Sequence, residues 1–572
     1  MDKWEVARAL DEIARYVELS EPNRFKSMAF EKASRAVSAI DQDLNGMANS
    51  GALREVPGIG KTTAAVIEEL LGTGRSRYLD DLRQQYPPGI FELLRVPRLG
   101  LKKIALLHEK LGVASLDDLE AACRSGRLVT LPGFGAKSQQ KILEGIDVAR
   151  RRESRFLLPV GIEAGEAIRE RLAAIDAVET AAISGSVRRR LEVVRNVNLV
   201  VATRDRRAVV DALWNAAANV EIIDDSTVRG AGLEGIEVFF HLADPKEFGS
   251  VLLQTTGSGE FVQALLARAG DAAAKREEQI FERAGAAFVP PERRESAEDL
   301  GRKRRRLVSF DDLRGTFHVH TTFSDGRNTV REMLAAAHER RFEYVGISDH
   351  SKSAFYAGGL TEDGVREQQA EIARQESAVA PMRVFRGTEA DILADGAIDY
   401  DDATLRNFDF VVASIHSRFG MSPDEMTERI LRALDNPYVT FLGHLTGRLL
   451  LSRDGYTMDF DRVFEKAGQR GVMIEINGNP RRLDIDWRLA GRASDRGVRF
   501  SIHPDAHSTG EYAALISGTW AARKAGLGPR EIFNTRPLEE VAEYLERRKN
   551  EPGVHPKKKG RGTEGVVPRP GV

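Results

Sequence analysis

The pattern of hydrophobic and polar positions changes character several times along the chain. Residues 1–150 read as amphipathic helices. Within them three segments share one design: VPGIGKTTAAVIEEL from Val56, VPRLGLKKIALLHEKL from Val96 and LPGFGAKSQQKILEGI from Leu131. Each is an apolar residue, a proline, a short glycine-containing hairpin, a basic residue and then a helix. Residues 151–290 mix short apolar runs (AAISGSV, NLVVAT, GIEVFFHL) with helical stretches, which predicts an α/β or α+β domain. Residues 291–312 include PERRESAEDLGRKRRRL, rich in charge and poor in apolar residues, and read as a linker. Across 313–548 the apolar runs YVGIS, FDFVVASI, YVTFLG, GVMIEI and VRFSI are separated by helical segments, the pattern of parallel βαβ units. So many repeats favour a closed barrel over a small open sheet. Residues 549–572 are Pro/Gly-rich and basic and read as a flexible tail.

Composition narrows the class. The 572 residues are 42% hydrophobic and 30% charged, with a formal net charge of −2. No run of ~18 apolar residues is present, so no membrane span is expected. The opening MDKWEVARALDEIARYVEL is amphipathic and acidic, unlike a secretory leader. The single cysteine, Cys123, can neither close an internal disulfide nor supply a thiolate zinc cage. A monomer in the reducing cytoplasm is the expectation. With so little net charge, nucleic-acid binding requires local basic patches.

Histidine placement carries the chemistry. Eight of the eleven histidines fall between His318 and His507. Ligand-type residues follow the predicted strands directly: His318, His320 and Asp325 in FHVHTTFSDG, Asp349 and His350 in YVGISDHS, Glu389 in VFRGTEADIL, His416 in FDFVVASIHSRF, His444 in YVTFLGHLTGR, and Asp505 and His507 in VRFSIHPDAHS. That end of the strands is where α/β barrels carry their active sites. In His318–Val319–His320, extended-chain alternation predicts both imidazoles on one face, and Asp505 and His507 repeat the spacing. Imidazole with carboxylate suits zinc, manganese or iron. The donors are too many for one ion, so two or three are expected, a set suited to phosphate-ester hydrolysis.

With these residues in view, 313–548 resembles a PHP (polymerase and histidinol phosphatase) domain, a distorted (β/α)7 barrel with a three-metal site. The resemblance implies nine ligands: His318, His320, Asp325, His350, Glu389, His416, His444, Asp505 and His507. The stretches DHSKS, AGGL, HSRF, GHLTGR, INGNPRRLDIDWR and DAHST resemble in particular the PHP domain fused to bacterial family X DNA polymerases. That family implies manganese or zinc and 3′–5′ exonuclease or related end processing. Asp325 and Glu389 then belong to the catalytic set. Lys352, Arg418 and Arg448, beside ligands, are candidates to hold substrate phosphate. His503 has no assigned role.

The three hairpins resemble helix–hairpin–helix motifs, whose backbone N–H groups and helix N-termini hold DNA phosphates without reading bases. Gly58, Gly60 and Lys61 form the first candidate contact, Gly100 and Lys102 the second, and Gly133, Gly135 and Lys137 the third. The second has Arg98 where a glycine would be expected. Asn23–Arg24–Phe25–Lys26 and Phe30 resemble the small N-terminal domain of family X polymerases.

The family resemblance spans residues 1 to about 548 but fails in the middle domain, a nucleotidyltransferase-like palm and thumb. There the family holds two magnesium ions on three aspartates. Gly185, Ser186, Arg188 and Arg189 remain, yet the aspartate positions are Asn196, Asn198 and Phe239. Magnesium requires charged oxygen ligands, so its binding there is not expected. Gln254–Thr255, Gly259 and Phe261 also depart from the thumb pattern. Glu192 and Glu237 are the nearby carboxylates that could substitute. The leading expectation is therefore a DNA-binding PHP phosphoesterase acting on gapped, nicked or 3′-ended DNA. Its rivals are a gap-filling polymerase, a non-enzymatic scaffold and a small-molecule phosphatase. The fold class expected is multidomain: an all-α helix–hairpin–helix region, an α+β nucleotidyltransferase-like domain and a C-terminal α/β PHP barrel.

Overall fold

The computed structural model describes residues 3–550 except 21–23, 39, 41–43, 87, 97–98, 153–154, 217, 233–234 and 302–305. Asn23, Arg98 and almost all of the basic tail lie outside the described residues. The chain divides into two compact units, Met1–Glu153 and Ser154–Val572.

The first unit is all-helical. Its three hairpins are built alike. Ile59, Leu99 and Phe134 sit at their centres, each at most 5% exposed, and anchor them to one apolar core. Their amides close tight turns onto Val56, Val96 and Leu131 at 3.0, 3.1 and 3.2 Å. Gly60, Gly100 and Gly135 then precede the helices Lys61–Thr73, Leu101–Leu111 and Ala136–Arg152. Gly58 and Gly133 take φ of 99° and 83°, a backbone region that disfavours side chains.

The second unit holds two sheets. The five-stranded sheet contains Asn196–Ala202 running parallel to Glu237–Ala243, with its other neighbouring pairs antiparallel. Alternation buries Val197, Leu199, Val238 and Phe240 and leaves Asn196, Asn198, Glu237 and Phe239 on the opposite face. The seven-stranded sheet is parallel throughout, in sequence order from Gly315–Val319 to Phe500–His503. Bridges from Ala506 to His318, Val319 and His320 bring its ends together into a nearly closed barrel. Inside it the side chains stack in layers. Phe317, Phe385, Phe410, Phe441, Met473 and Phe533 plug one end. A Cβ on Gly387 would lie 2.3 Å from the Phe410 ring, so that layer closes only because glycine is there. Two residues further along two of these strands, the alternation delivers carboxylates instead: Glu389 beyond Gly387 and Glu475 beyond Met473. The helices cover the outside.

Residues 291–300 are not a free linker. Arg294, fully buried, donates to both oxygens of Glu277 at 2.6 and 3.2 Å and to the Val289 carbonyl at 2.8 Å. Their charged composition suits internal ion pairs as well as solvent, which is why the pattern misleads. Lys524, 2% exposed, donates from the barrel side to the carbonyls of Arg189 and Glu292 and pairs with Glu295. Glu192 accepts from Trp487 and Arg488 at 3.2 and 2.7 Å. These contacts join the five-stranded domain to the barrel.

Candidate functional site

The nine expected ligands converge at one end of the barrel. Their donor atoms fall into overlapping groups, each within 4.8 Å: His320, Asp325, His350 and His507; His318, Glu389 and His444; His318, His320 and Asp505; His350, Glu389 and His416. Glu389, 1% exposed, is the hub. One of its oxygens lies 2.9 Å from His444 Nε2 and 3.3 Å from both His318 Nε2 and His416 Nε2; the other lies 2.9 Å from His350 Nδ1. Asp505 lies 3.4 and 3.3 Å from the Nε2 atoms of His318 and His320. Asp325 and His507, with side chains 37% and 26% exposed, form the open edge. The backbone differs from the simple alternation expected of a strand. His318, His444 and Asp505 take φ of 61°, 24° and 53°, in the left-handed region that side chains disfavour. The strand bulges between Thr316 and Val319, and so His318 and His320 reach one cavity, ring centroids 5.2 Å apart.

Electrostatics fit a cation site. Burial alone would neutralise His416, but Glu389 and Asp391 override it and raise its pKa to about 10. Asp325 and Asp505 likewise override burial at His507, raising it to about 9. Glu389 and Asp505, against the cost of burial, are held well below the usual carboxylate range by the imidazoles around them. His320 is driven to about 4 by burial and by neighbouring imidazoles. Both ring nitrogens of His320 and Nε2 of His318 are buried without a hydrogen-bond partner. Such orphaned buried nitrogens are costly, and divalent ions are the partners this ligand set suits.

Several groups escape a sequence reading. Glu475, fully buried, accepts from His318 Nδ1 at 2.5 Å, from His503 Nδ1 at 3.0 Å and from the His444 amide at 2.5 Å. It sits inside the apolar run GVMIEI, where nothing but its charge at an inward position signals it. It presents His318 Nε2 to Glu389 and Asp505, the orientation a second carboxylate imposes on a metal-binding imidazole. It also gives His503 its role as a further partner. Asp391 holds His416 Nδ1 at 2.6 Å in the same way. Arg482 lies 3.5 Å from Asp505.

The candidate phosphate holders separate. Arg418 is exposed on the loop after His416. Lys352 pairs with Glu362 at 2.7 Å instead of facing the cluster. Arg448 is occupied by Asp486 and by the carbonyls of Arg482 and Leu483, so it braces its own loop. In the five-stranded domain, Asn198 donates to Asn196 at 2.9 Å and its side-chain oxygen accepts from His241 Nε2 at 3.0 Å. Asn198 lies in register with Phe239. No group of His, Cys, Asp or Glu able to hold an ion occurs there among the described residues. Glu192 is committed to Trp487 and Arg488, and Glu237 lies 3.7 Å from Arg229. Arg188 is bound to Glu277 and Thr256, and Arg189 to Glu295 and the Thr256 carbonyl. Ser186 remains half-buried on the short helix Gly185–Arg188. Phe261 is a core residue packed on Phe281.

Comparison with known proteins agrees with this layout. Residues 1–76 match a helix-hairpin-helix domain, 90–147 a SAM-like helix-hairpin-helix tandem and 316–479 the PHP domain. A probable phosphatase of Caldanaerobacter subterraneus is 26% identical over 41% of this chain and 92% of its own length. One of Photobacterium profundum is 29% identical over 40% of this chain and 93% of its own. The DNA polymerase/3′-5′ exonuclease PolX of Bacillus subtilis is 32% identical over 96% of this chain and its entire own length. By this full-length likeness and its domain order, the chain belongs to the PolX family.

Proposed function

We propose that this protein is a DNA-binding, metal-dependent phosphoesterase that shortens or cleans 3′ ends at gaps and nicks, and that its polymerase-like domain is silent. One observation carries the reading: a fully enclosed glutamate, Glu389, faces four imidazoles at 2.9–3.3 Å on the strand ends of a parallel barrel. His318, His320, Asp325, His350, Glu389, His416, His444, Asp505 and His507 would hold two to three ions, manganese or zinc by donor type. Bound ions supply the charge that lowers the pKa of water and neutralises the oxygens of a phosphodiester under attack. The chain's own contribution is positioning. Glu475 and Asp391 fix the rings of His318 and His416. The exposed Arg418 and the Arg482 guanidinium supply positive charge for the flanking phosphates.

The helix–hairpin–helix units support DNA as the substrate. Gly58, Gly60, Gly100, Gly133 and Gly135 are exposed, with amides at or next to helix N-termini, and Lys61, Lys102 and Lys137 follow them. Such contacts grip phosphates irrespective of sequence. The Bacillus subtilis relative is called both a polymerase and an exonuclease, which keeps gap-filling synthesis as the second reading. Asn196, Asn198 and Phe239 speak against it, since neutral amides and a phenyl ring replace the anionic oxygens magnesium needs.

The test is a 5′-labelled primer–template with Mn2+ and no nucleotides, beside a His416→Ala/His444→Ala control. Stepwise shortening that disappears in the control is expected. No shortening by protein carrying its ions would overturn the reading.

A further inference from the structure

The largest exposed aromatic feature of the barrel stands beside the metal cluster and has no partner in the account above. Phe355 and Tyr356, 85% and 62% exposed, form the tip of the loop that follows His350. The loop is firmly held. Leu360 N donates to the His350 carbonyl at 2.8 Å, Ser351 bridges Leu360, and Asp399 accepts from Ser351 Oγ and Ser353 N at 2.7 and 2.9 Å. Ala354, Ala357 and Leu360 are buried beneath it. A Cβ on Gly359 would strike the Ser351 carbonyl at 1.9 Å, so the loop closes tightly on itself. A rigid base carrying two solvent-facing rings is a built display, not a frayed segment.

Its position indicates what it displays them to. The Tyr356 ring stands edge-on to the His416 ring, centroids 6.4 Å apart. Besides its burial, the groups acting on the Tyr356 hydroxyl are Asp391, Glu389, Asp325 and Arg482, all at the metal cluster. Phe355 lies 6.1 Å from Tyr356, edge to face. A strand whose terminal phosphodiester rests on the cluster must carry a base within a few ångströms of that phosphate. Aromatic rings beside cationic side chains are the surface that binds single-stranded nucleic acid, because every base offers a stacking face.

We propose that Phe355 and Tyr356 form a stacking platform for the 3′-terminal base of an unpaired DNA strand. The inference rests on the reading of the metal centre as a DNA phosphoesterase. It makes the preferred substrate a single-stranded or frayed 3′ end, since a base cannot stack on the platform and stay paired in the duplex. It also separates this site from one that takes small phosphate monoesters.

The probe is a single-stranded oligonucleotide with 2-aminopurine as its 3′-terminal base and a terminal phosphorothioate linkage to slow cleavage, titrated with the full chain in Mn2+. Wild type should change the terminal fluorescence saturably. Tyr356→Phe should preserve that change, and Phe355→Ala/Tyr356→Ala should abolish it and weaken binding roughly ten-fold, as loss of base stacking does. With 2-aminopurine far from the end, wild type and double variant should give the same signal. Both rings are exposed, so the substitutions leave the fold intact. A double variant that binds and fluoresces like wild type overturns the platform. So does a variant whose only change is its oligomeric state, which would make the rings a protein contact. The readout is binding, so it separates two failures. Terminal stacking without cleavage of ordinary strands sinks the phosphoesterase reading and leaves the platform standing, whereas cleavage unaffected by losing both rings does the reverse.

Discussion

The barrel and the five-stranded domain present polar side chains in the same way, at inward or same-face positions fixed by strand alternation, yet they have opposite chemical character. In the barrel those positions carry Glu389 and Glu475, with His416 and Asp505 just past the strand ends, and unpartnered imidazole nitrogens are left aimed into the cavity. In the five-stranded domain they carry Asn196, Asn198 and Phe239, and the amides satisfy one another and His241. The buried faces differ far less. Val197, Leu199, Val238 and Phe240 keep the second sheet packed. A fold rests on its apolar face, whereas ion chemistry rests on a few charges on the other, and one can be lost without the other. The arginines of that domain, Arg188 and Arg189, serve internal ion pairs.

The largest effect that would break the comparison lies at its hub. Glu389→Ala should lower nuclease turnover about 1,000-fold or more, because the charge stabilisation lost with the ions amounts to several kcal/mol. Turnover near wild type in a steady-state assay would remove Glu389 from the chemistry. Next, Glu277→Ala should cost the five-stranded domain about 3–5 kcal/mol, since it strands the fully buried Arg294; denaturant melting measures it. Burial alone would raise the Glu277 pKa, but Arg188 and Arg294 hold it below the usual value. Its contribution is therefore full above the ordinary carboxylate pKa and is lost as pH falls through the lower folded value. An acid limb steeper in wild type than in Glu277→Ala is expected.

Smaller effects sharpen the contrast. Glu475→Gln removes the charge that orients His318 and should weaken metal binding about 10–100-fold with little loss of fold, measured by titration calorimetry. His416 and His507 hold protons to about 10 and 9 without metal. Ions must displace those protons, so affinity should rise with pH through neutrality, about ten-fold per unit for each proton released. A pH-independent affinity would argue that these imidazoles are not ligands. Smallest, Lys61→Ala/Lys137→Ala should weaken DNA binding a few-fold and flatten the salt dependence by about two in log–log slope. An unchanged slope by fluorescence anisotropy would take the hairpins off the phosphates.

Much of this is legible in the residues themselves. His318 to His507 stand immediately after apolar runs, and three hairpins repeat a glycine–apolar–glycine or closely related spacing, so local pattern is enough. Glu475 is not legible, because a charge within GVMIEI reads as half-exposed until closure makes that face interior. Residues 291–300 mislead for a related reason: a charged stretch reads as solvated unless the partners of Arg294 and Glu292 are known, and they lie at Glu277 and Arg523. Arg448 and Lys352 were near ligands in sequence, but side-chain direction, set by the loops, turns them to Asp486 and Glu362. The left-handed backbone at His318, His444 and Asp505 has no sequence signal.

The central claim is that one chain keeps a working hydrolytic centre beside a silent polymerase-like fold. A single reaction tests it: a 5′-labelled primer on a gapped template, with all four nucleotides and both Mg2+ and Mn2+, read on a denaturing gel. The account predicts products shorter than the primer and none longer. Extension of the primer, above all in a His416→Ala/His444→Ala background, would contradict it.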